Sequence, residues 1–240
     1  MSIEALLRHF CPNRSLKILD LGCGKGALVT SLLAEGHDAY GCDIAGSAAS
    51  DFEPSPGNDR LRTIEMHPYR LPFFDGQFDC VISTQVLEHV LDLESTFREI
   101  HRVLKPGGVS LHTFPGRHVP IEPHVFVPFA TVIRNRTWLY LWAVLGIRND
   151  FQVGKTASEV ARLNHAYLHA HTHYPPKSEI LDKACVFSEA AFREDVFFFP
   201  GPEELKHRSR KKRLFVFLGG DRMRAWFHGT FVMRALYLRK

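Results

Sequence analysis

With 240 residues, 45% of them hydrophobic, the chain is long enough for one large domain or for a domain with a sizeable insertion. Its formal net charge of +4 is too small to argue nucleic acid by itself, and much of the excess sits in the run Lys206 to Arg213 (KHRSRKKR). The five cysteines, Cys11, Cys23, Cys42, Cys80 and Cys185, are odd in number and form no CxxC pair, so they read as reduced thiols of a cytoplasmic protein rather than a disulfide framework. The opening MSIEALLRHFCP carries acidic Glu4 and no long apolar core, unlike a signal peptide. No apolar stretch approaches the roughly 18 residues needed to span a bilayer.

In chain order, Ser2 to Phe10 reads as a short amphipathic helix stopped near Pro12. Leu16, Ile18, Leu19 and Leu21 make an apolar run fit for one buried parallel strand, and Gly22, Gly24 and Gly26 follow at alternate positions. Glycines so spaced let the chain turn sharply and bring bare backbone against a ligand. From Lys25 the residues KGALVTSLLAEG read as a helix with Gly36 as its stop. Strand, glycine turn and helix make a nucleotide-binding turn at the carboxyl edge of a sheet, although Gly22-x-Gly24-x-x-Ala27 also fits the looser dinucleotide fingerprint.

Ala39 to Ile44 is a second buried strand ending on Asp43, and Gly46 to Asp59 is a loop rich in Pro, Ser and Gly. Leu61 to Glu65 is a weaker third strand and Asp79 to Thr84 a fourth. Asp92 caps a helix with Leu93, Phe97, Ile100 and Leu104 on one face, which Lys105-Pro106-Gly107-Gly108 breaks before a fifth strand, Val109 to Phe114. This alternation predicts a doubly wound, mostly parallel sheet. Between Pro115 and Tyr174 the pattern changes to helical segments, Phe129 to Leu145 and Ala157 to Ala170, over a span too long for a plain loop. It reads as a helical insertion or lid, 115–174, within a single domain over 1–240. Pro175 to Phe187 then resumes a helix. Phe192 to Phe199 and Phe231 to Leu238 complete seven strands, separated by the basic run and a helix-like Arg222 to His228.

Four further signals stand in order after the glycine turn: Asp43, LPFFDGQFDCVIS (Leu71 to Ser83), VLEHV (Val86 to Val90) and REIHRVLKPGG (Arg98 to Gly108). Together this set resembles the class I S-adenosylmethionine-dependent methyltransferases, in the branch of the ubiquinone/menaquinone-type (methyltransferase type 11) enzymes, over the first half of the chain and its last strands. The resemblance implies a Rossmann-like methyltransferase fold with S-adenosylmethionine as cofactor. It places the turn Gly22, Cys23 and Gly24 against the amino acid part of the cofactor and Asp20 near its ammonium. Asp43 is then expected to take both ribose hydroxyls, because a carboxylate offers two acceptor oxygens to a vicinal diol. Ile44 is expected against adenine, and Thr84 and Gln85 beside the methionine part. His67 stands where the family commonly has an acidic residue for the adenine amine; a neutral imidazole accepts one hydrogen bond there, with Glu65 or a backbone carbonyl as the alternative.

Methyl transfer from a sulfonium is an in-line displacement in which the protein chiefly aligns the partners, and a hydroxyl acceptor also needs its proton taken. A strand ending at Pro115 puts Gly116 to His124 (GRHVPIEPH) at the carboxyl edge, with Arg117, His118, Glu122 and His124 as candidates for that chemistry. His89 is a further candidate. The plainer reading is a hinge loop whose histidines cap backbone groups. His165, His169, His171 and His173 invite a metal reading, but no cysteine or paired carboxylate completes the set, and no metal is expected. Trp138 to Leu145 is apolar enough to line a pocket or touch lipid headgroups, with core packing the simpler use. Ser83-Thr84-Gln85-Val86 lacks the acidic-Pro-Pro-aromatic run of an adenine amino methylase, and Cys80 lies inside its strand, away from a base-carbon nucleophile position. The expected activity is therefore methyl transfer to a small-molecule, glycan or lipid-linked acceptor, at oxygen. An RNA or protein methyltransferase using 206–213, and a non-catalytic cofactor-binding domain, are the alternatives. Oligomeric state and peripheral membrane contact stay open.

Overall fold

The structure, a computed structural model, describes residues 3–11, 15–45, 59–198 and 221–240. The loop 46–58 and the basic run 206–213 lie outside these described residues. A seven-stranded sheet runs β3-β2-β1-β6-β7-β9-β8, built from β1 (Lys17–Leu21), β2 (Asp38–Asp43), β3 (Leu61–Thr63), β6 (Phe78–Thr84), β7 (Leu104–Pro115), β8 (Glu189–Phe192) and β9 (Met233–Arg239). The first five of these in spatial order pair in parallel, while β9 runs antiparallel to both β7 and β8.

The chain leaves β1 for β2 on one side and later returns to place β6 on the other. That reversal opens a crevice beyond the carboxyl ends of β1 and β6, the place where open α/β sheets bind ligands. Both faces of the sheet are buried. Leu19 and Leu21 of β1 join one core layer with Phe78, Val81, Phe97 and Ile100, while Ile18 joins the other with Val29, Leu32, Cys80 and Ile82. The twofold alternation of a strand sends neighbouring residues into opposite layers, so a near-continuous apolar run is what a doubly covered strand requires.

The helices follow local chemistry. Helix α1 is Ile3–Phe10; α2 (Ala27–Ala34) starts after Gly26 in the left-handed region; α3 (Leu93–Val103) is capped by the Asp92 side chain, which accepts from the Ser95 N–H at 3.0 Å. Between β7 and the sheet-covering α6 (Lys177–Lys183) stand α4 (Arg136–Val144) and α5 (Ala157–His171), packed on a small core of their own around Val125, Val127, Ala130, Leu139, Ala161 and Leu168. Asn135 caps α4 and a Thr156/Glu159 capping box starts α5. Helices α7 (Glu194–Phe198) and α8 (Asp221–Phe231) precede β9.

Several boundaries differ from the sequence expectation. The strand expected over Phe192 to Phe199 ends at Phe192, and Glu194–Phe198 is helical: Glu194 and Asp195 occupy its first turn, where the helix dipole favours acid. The expected helix from Phe129 begins only at Arg136, because Phe129 has a φ of +55° and the chain turns there. β7 takes in Lys105 to Gly108, which shifts the register against β6 between Phe78 and Cys80. The third strand stops at Thr63, and a short hairpin follows, β4 (Glu65–Met66) against β5 (Tyr69–Arg70).

Candidate functional site

The glycine turn is forced by close approach. Gly22, Gly24 and Gly26 have φ of +76°, +49° and +79°, and a Cβ on Gly22 would stand 2.3 Å from Val86 Cγ2. The N–H groups of Gly22 and Cys23 both donate to Cys42 O, at 2.8 and 3.2 Å, which locks the turn onto β2. Gly24 is different: nothing lies within 4 Å of a Cβ built there, so its backbone faces open space. The crevice is thus floored by bare backbone.

Two carboxylates flank it. Asp43 accepts the Gly24 N–H at 2.8 Å through one oxygen and its neighbour Ile44 N–H at 2.7 Å through the other. Each oxygen keeps a second lone pair for a ligand hydroxyl, so Asp43 both shapes the turn and can face a diol. Asp20 is 4% exposed, and burial, followed by the charge of Asp43, pushes its carboxyl up to about 7. A cationic ligand group beside Asp20 would relieve that cost, and an ammonium fits it. Ile44 is 36% exposed beside this turn, ready to cover an aromatic ring. Thr84 and Gln85 are exposed at the end of β6, and Gln85, with φ of +56°, is pinned by donating its N–H to Thr113 O at 2.7 Å. His67 is exposed in the turn of the β4–β5 hairpin, where Ile64 N–H bonds Asp43 O and ties the hairpin to the end of β2.

A second constellation forms at the same edge of the sheet. The 3₁₀ turn Leu87–His89 follows β6 and carries Glu88 and His89. His89 Nδ1 lies 2.7 Å from His171 O; a carbonyl only accepts, so the proton is on Nδ1 and Nε2 keeps its lone pair. His124 is arranged the same way, its Nδ1 2.7 Å from Glu122 Oε1. Glu122 is fully buried and gathers further donors: Tyr174 O–H at 2.7 Å, and the N–H groups of His124 and Val125 at 2.8 Å each. Burial alone would raise its carboxyl, but the bonds from His124, Tyr174 and Val125 hold it below the ordinary range. The His89 and His124 rings meet edge to face with centroids 4.8 Å apart.

Glu88 completes the group. It is fully buried, and neither carboxylate oxygen has a hydrogen-bond partner; burial pushes the group up to about 7. Ligand atoms of Glu88, His89 and His124 lie within 4.8 Å of one another, a spacing that fits a metal ion. The far end of the α4–α5 segment closes over this turn: His173 N–H donates to Glu88 O at 2.6 Å, and Arg117 donates to Tyr174 O at 2.9 Å.

Of the residues expected from sequence, the structure thus brings together His89, Glu122 and His124. His118 is exposed on the turn at 117–118 and takes no part in these bonds. Glu88 and Tyr174 were not foreseen; Glu88 had a signal, standing beside His89 in VLEHV, whereas Tyr174 had none. His165 and His169 meet with ring centroids 4.4 Å apart and their planes tilted by 40°, but the metal-spaced trio among the described residues is the one around Glu88.

A family model described as a methyltransferase domain matches residues 19–111. The match includes Asp20, the glycine turn, Asp43, Glu88 and His89, and stops short of Glu122, His124 and Tyr174. A ubiquinone biosynthesis O-methyltransferase of Pseudomonas aeruginosa is 34% identical over 143 residues, covering 57% of this chain and 53% of that protein. A sterol 24-C-methyltransferase of Gibberella zeae is 33% identical over 99 residues, 39% of this chain and 26% of that protein. The chain therefore spans about half the length, or less, of these curated relatives. A crystal structure of an S-adenosylmethionine-dependent methyltransferase from Mesorhizobium loti superposes with a TM-score of 0.53 over 98% of this chain and 96% of that one, at 17% identity, a likeness of fold.

Proposed function

We propose that this chain, which belongs to the class I S-adenosylmethionine-dependent methyltransferases of the type 11 branch, moves the cofactor's methyl group to an oxygen of a small-molecule, glycan or lipid-linked acceptor. When bound, the cofactor supplies an electrophilic methyl on sulfur. Asp20 pairs with its ammonium, the Gly22–Gly24 backbone lies along its amino acid part, and Asp43 holds the ribose. Ile44 covers adenine, His67 stands at its rim, and Thr84 and Gln85 lie beside the methionine part.

The observation that carries the oxygen reading is the Glu122–His124 pair. A neutral amine attacks with its own lone pair and can shed its proton afterwards, whereas a hydroxyl must lose its proton as the new bond forms. Glu122, held by four donors, fixes the His124 ring with Nδ1 protonated, so Nε2 is left to take that proton. His89, oriented in the same sense, stands beside it. The P. aeruginosa relative, named an O-methyltransferase, supports the same choice. We further propose that 115–174 acts as a lid within one domain spanning 1–240. Among the described residues no helix is long and apolar enough to cross a membrane, and the five cysteines are free, in keeping with a cytoplasmic setting.

The test is calorimetric titration with S-adenosylmethionine and with NAD, followed by incubation of a cell extract with methyl-labelled cofactor. Binding of S-adenosylmethionine and a labelled methyl ether or ester are expected. Binding of NAD alone overturns the reading; a labelled amine or carbon product overturns the oxygen assignment, and binding without any labelled product favours a non-catalytic domain. A second reading rests on the unpartnered oxygens of Glu88: a divalent cation held by Glu88, His89 and His124 would polarise the acceptor oxygen. Titration with magnesium and zinc decides it, since Glu88→Gln would abolish a genuine cation site.

A further inference from the structure

Helix α4 is apolar on both sides. Leu139 and Ala143 face the small core beneath it, with Trp138 and Trp142 half-buried. The opposite face carries Tyr140, Leu141, Val144 and Leu145, between 47% and 63% exposed. These positions form one stripe at helical spacing, and a helix facing water normally puts polar residues there. The chain on either side of α4 continues the pattern. Phe126 and Phe129, 50% and 52% exposed, hold φ of +60° and +55°, a conformation that bulky side chains avoid and that no burial of their rings repays. This loop packs on α4 through Pro128 O, which accepts the Trp138 indole N–H at 2.7 Å. Beyond the helix, Phe151 is 90% exposed.

We propose that this face of the segment 121–153 docks on an anionic lipid surface. Scattered exposed apolar residues are ordinary, but a continuous set drawn from three adjoining segments marks an interaction surface. Charge selects the occupant. From 121 to 155 the charges that reach the surface are Arg134, Arg136, Arg148 and Lys155 against Asp150, since Glu122 is buried. An apolar stripe with half-buried tryptophans and flanking arginines suits the headgroup layer of an acidic membrane. A second copy of the chain suits it less, because a twofold interface centred on α4 would bring the same basic residues towards their own copies. The face is also continuous with the acceptor side of the site, since Phe126 follows His124 by two residues and its N–H bonds Glu122 O. Docking therefore sets the proposed proton acceptor at the membrane surface and selects, among the acceptor classes above, one carried in lipid. That last step rests on the methyl-transfer reading; docking itself does not.

Sedimentation with vesicles tests docking without any methyl transfer. The full chain is expected to pellet with vesicles of equimolar phosphatidylcholine and phosphatidylglycerol, and to do so less as salt is raised. Leu145→Glu with Phe151→Glu should weaken that binding by at least about tenfold, through loss of apolar insertion and added repulsion. Phe151→Ser alone, at a side chain almost wholly in solvent, keeps the test open should the double variant fail to fold, with a fall of about threefold expected. Cofactor titration of each variant reports on the fold and separately on the methyltransferase reading. Vesicle binding unchanged by both variants overturns the proposal. So does a failure to bind the anionic vesicles, or a dimer that the same substitutions dissolve.

Discussion

The proposed cofactor half and the proposed acceptor half of the crevice are built on different principles. Around Gly22 to Gly26 the structure is set by backbone: positive φ at the glycines, packing against Val86 and Leu61, and the Gly24 N–H bond to Asp43 at the end of the paired strand β2. Around His124 the structure is assembled across long separations. Tyr174 reaches Glu122 from 52 residues away and His171 holds His89 from 82. The cofactor half spends its glycines on a shape that serves any ligand of that kind. The acceptor half spends a fully buried carboxylate on the orientation of one ring. The difference teaches where specificity lies, since the matched family segment takes in Glu88 and His89 but ends before Glu122, His124 and Tyr174.

The sharpest way to break this contrast is His124→Ala. If Nε2 takes the acceptor proton, turnover should fall by roughly 10²- to 10⁴-fold, the usual worth of a positioned base. Affinity for S-adenosylmethionine should stay within about twofold, because the ring belongs to the other half of the crevice. Initial rates of label transfer and a cofactor titration read the two quantities separately, and an equal loss in both would merge the halves. Asp43→Ala is the complementary change. It removes the proposed ribose partner and frees the Gly24 and Ile44 N–H groups, so cofactor binding should weaken by about 1–3 kcal/mol in calorimetry. Unchanged affinity would show that the ribose is held elsewhere.

The same contrast explains what the sequence made legible. Strand β1, the glycine turn and the Asp92 cap could be read because alternation, positive φ and capping are rules of neighbouring residues. That the sheet is doubly wound and mostly parallel followed from the alternation of apolar strand runs with helices, whereas the order of its strands came from the structure alone. Glu122 and His124 could be nominated from their place after β7, but not joined to Tyr174, because nothing in the local pattern encodes a bond across α4 and α5. Glu194 to Phe198 failed for a related reason. Its phenylalanines suggest a strand, while the two acids at its start settle a helix. The histidines at 165–173 were weighed together by proximity in sequence, yet His171 and His173 serve through backbone groups that clasp Leu87–His89.

A smaller effect sharpens the role of Glu122. Glu122→Gln keeps an acceptor for Tyr174 but loses the negative charge that His124 faces, and one amide N–H₂ now meets donors. Turnover should fall by about tenfold with cofactor affinity unchanged, a split expected of a residue that positions another. A variant that loses cofactor binding in parallel would instead mark Glu122 as a part of the general scaffold.

A pH-linked effect at Asp20 separates ligand binding from folding. Burial raises this carboxyl from 3.8 to about 7, so the native state holds its proton more tightly than the unfolded chain. Stability tied to that proton is fully present below about pH 4 and is lost as pH rises through about 7. Buried His112, with its value pushed down to about 3 by burial, and half-buried His89 and His228 act in the opposite sense, so only a difference isolates Asp20. Without cofactor, the unfolding free energy of Asp20→Asn should exceed that of the natural chain by a margin that widens from pH 5 towards pH 7, by up to ~1.4 kcal/mol per pH unit, and levels off above it. With saturating S-adenosylmethionine the order should reverse, because the ammonium now pairs with the charged form. A margin indifferent to pH would mean that Asp20 is an ordinary strand-end residue, and that the cost of burying its charge is met by something other than the cofactor.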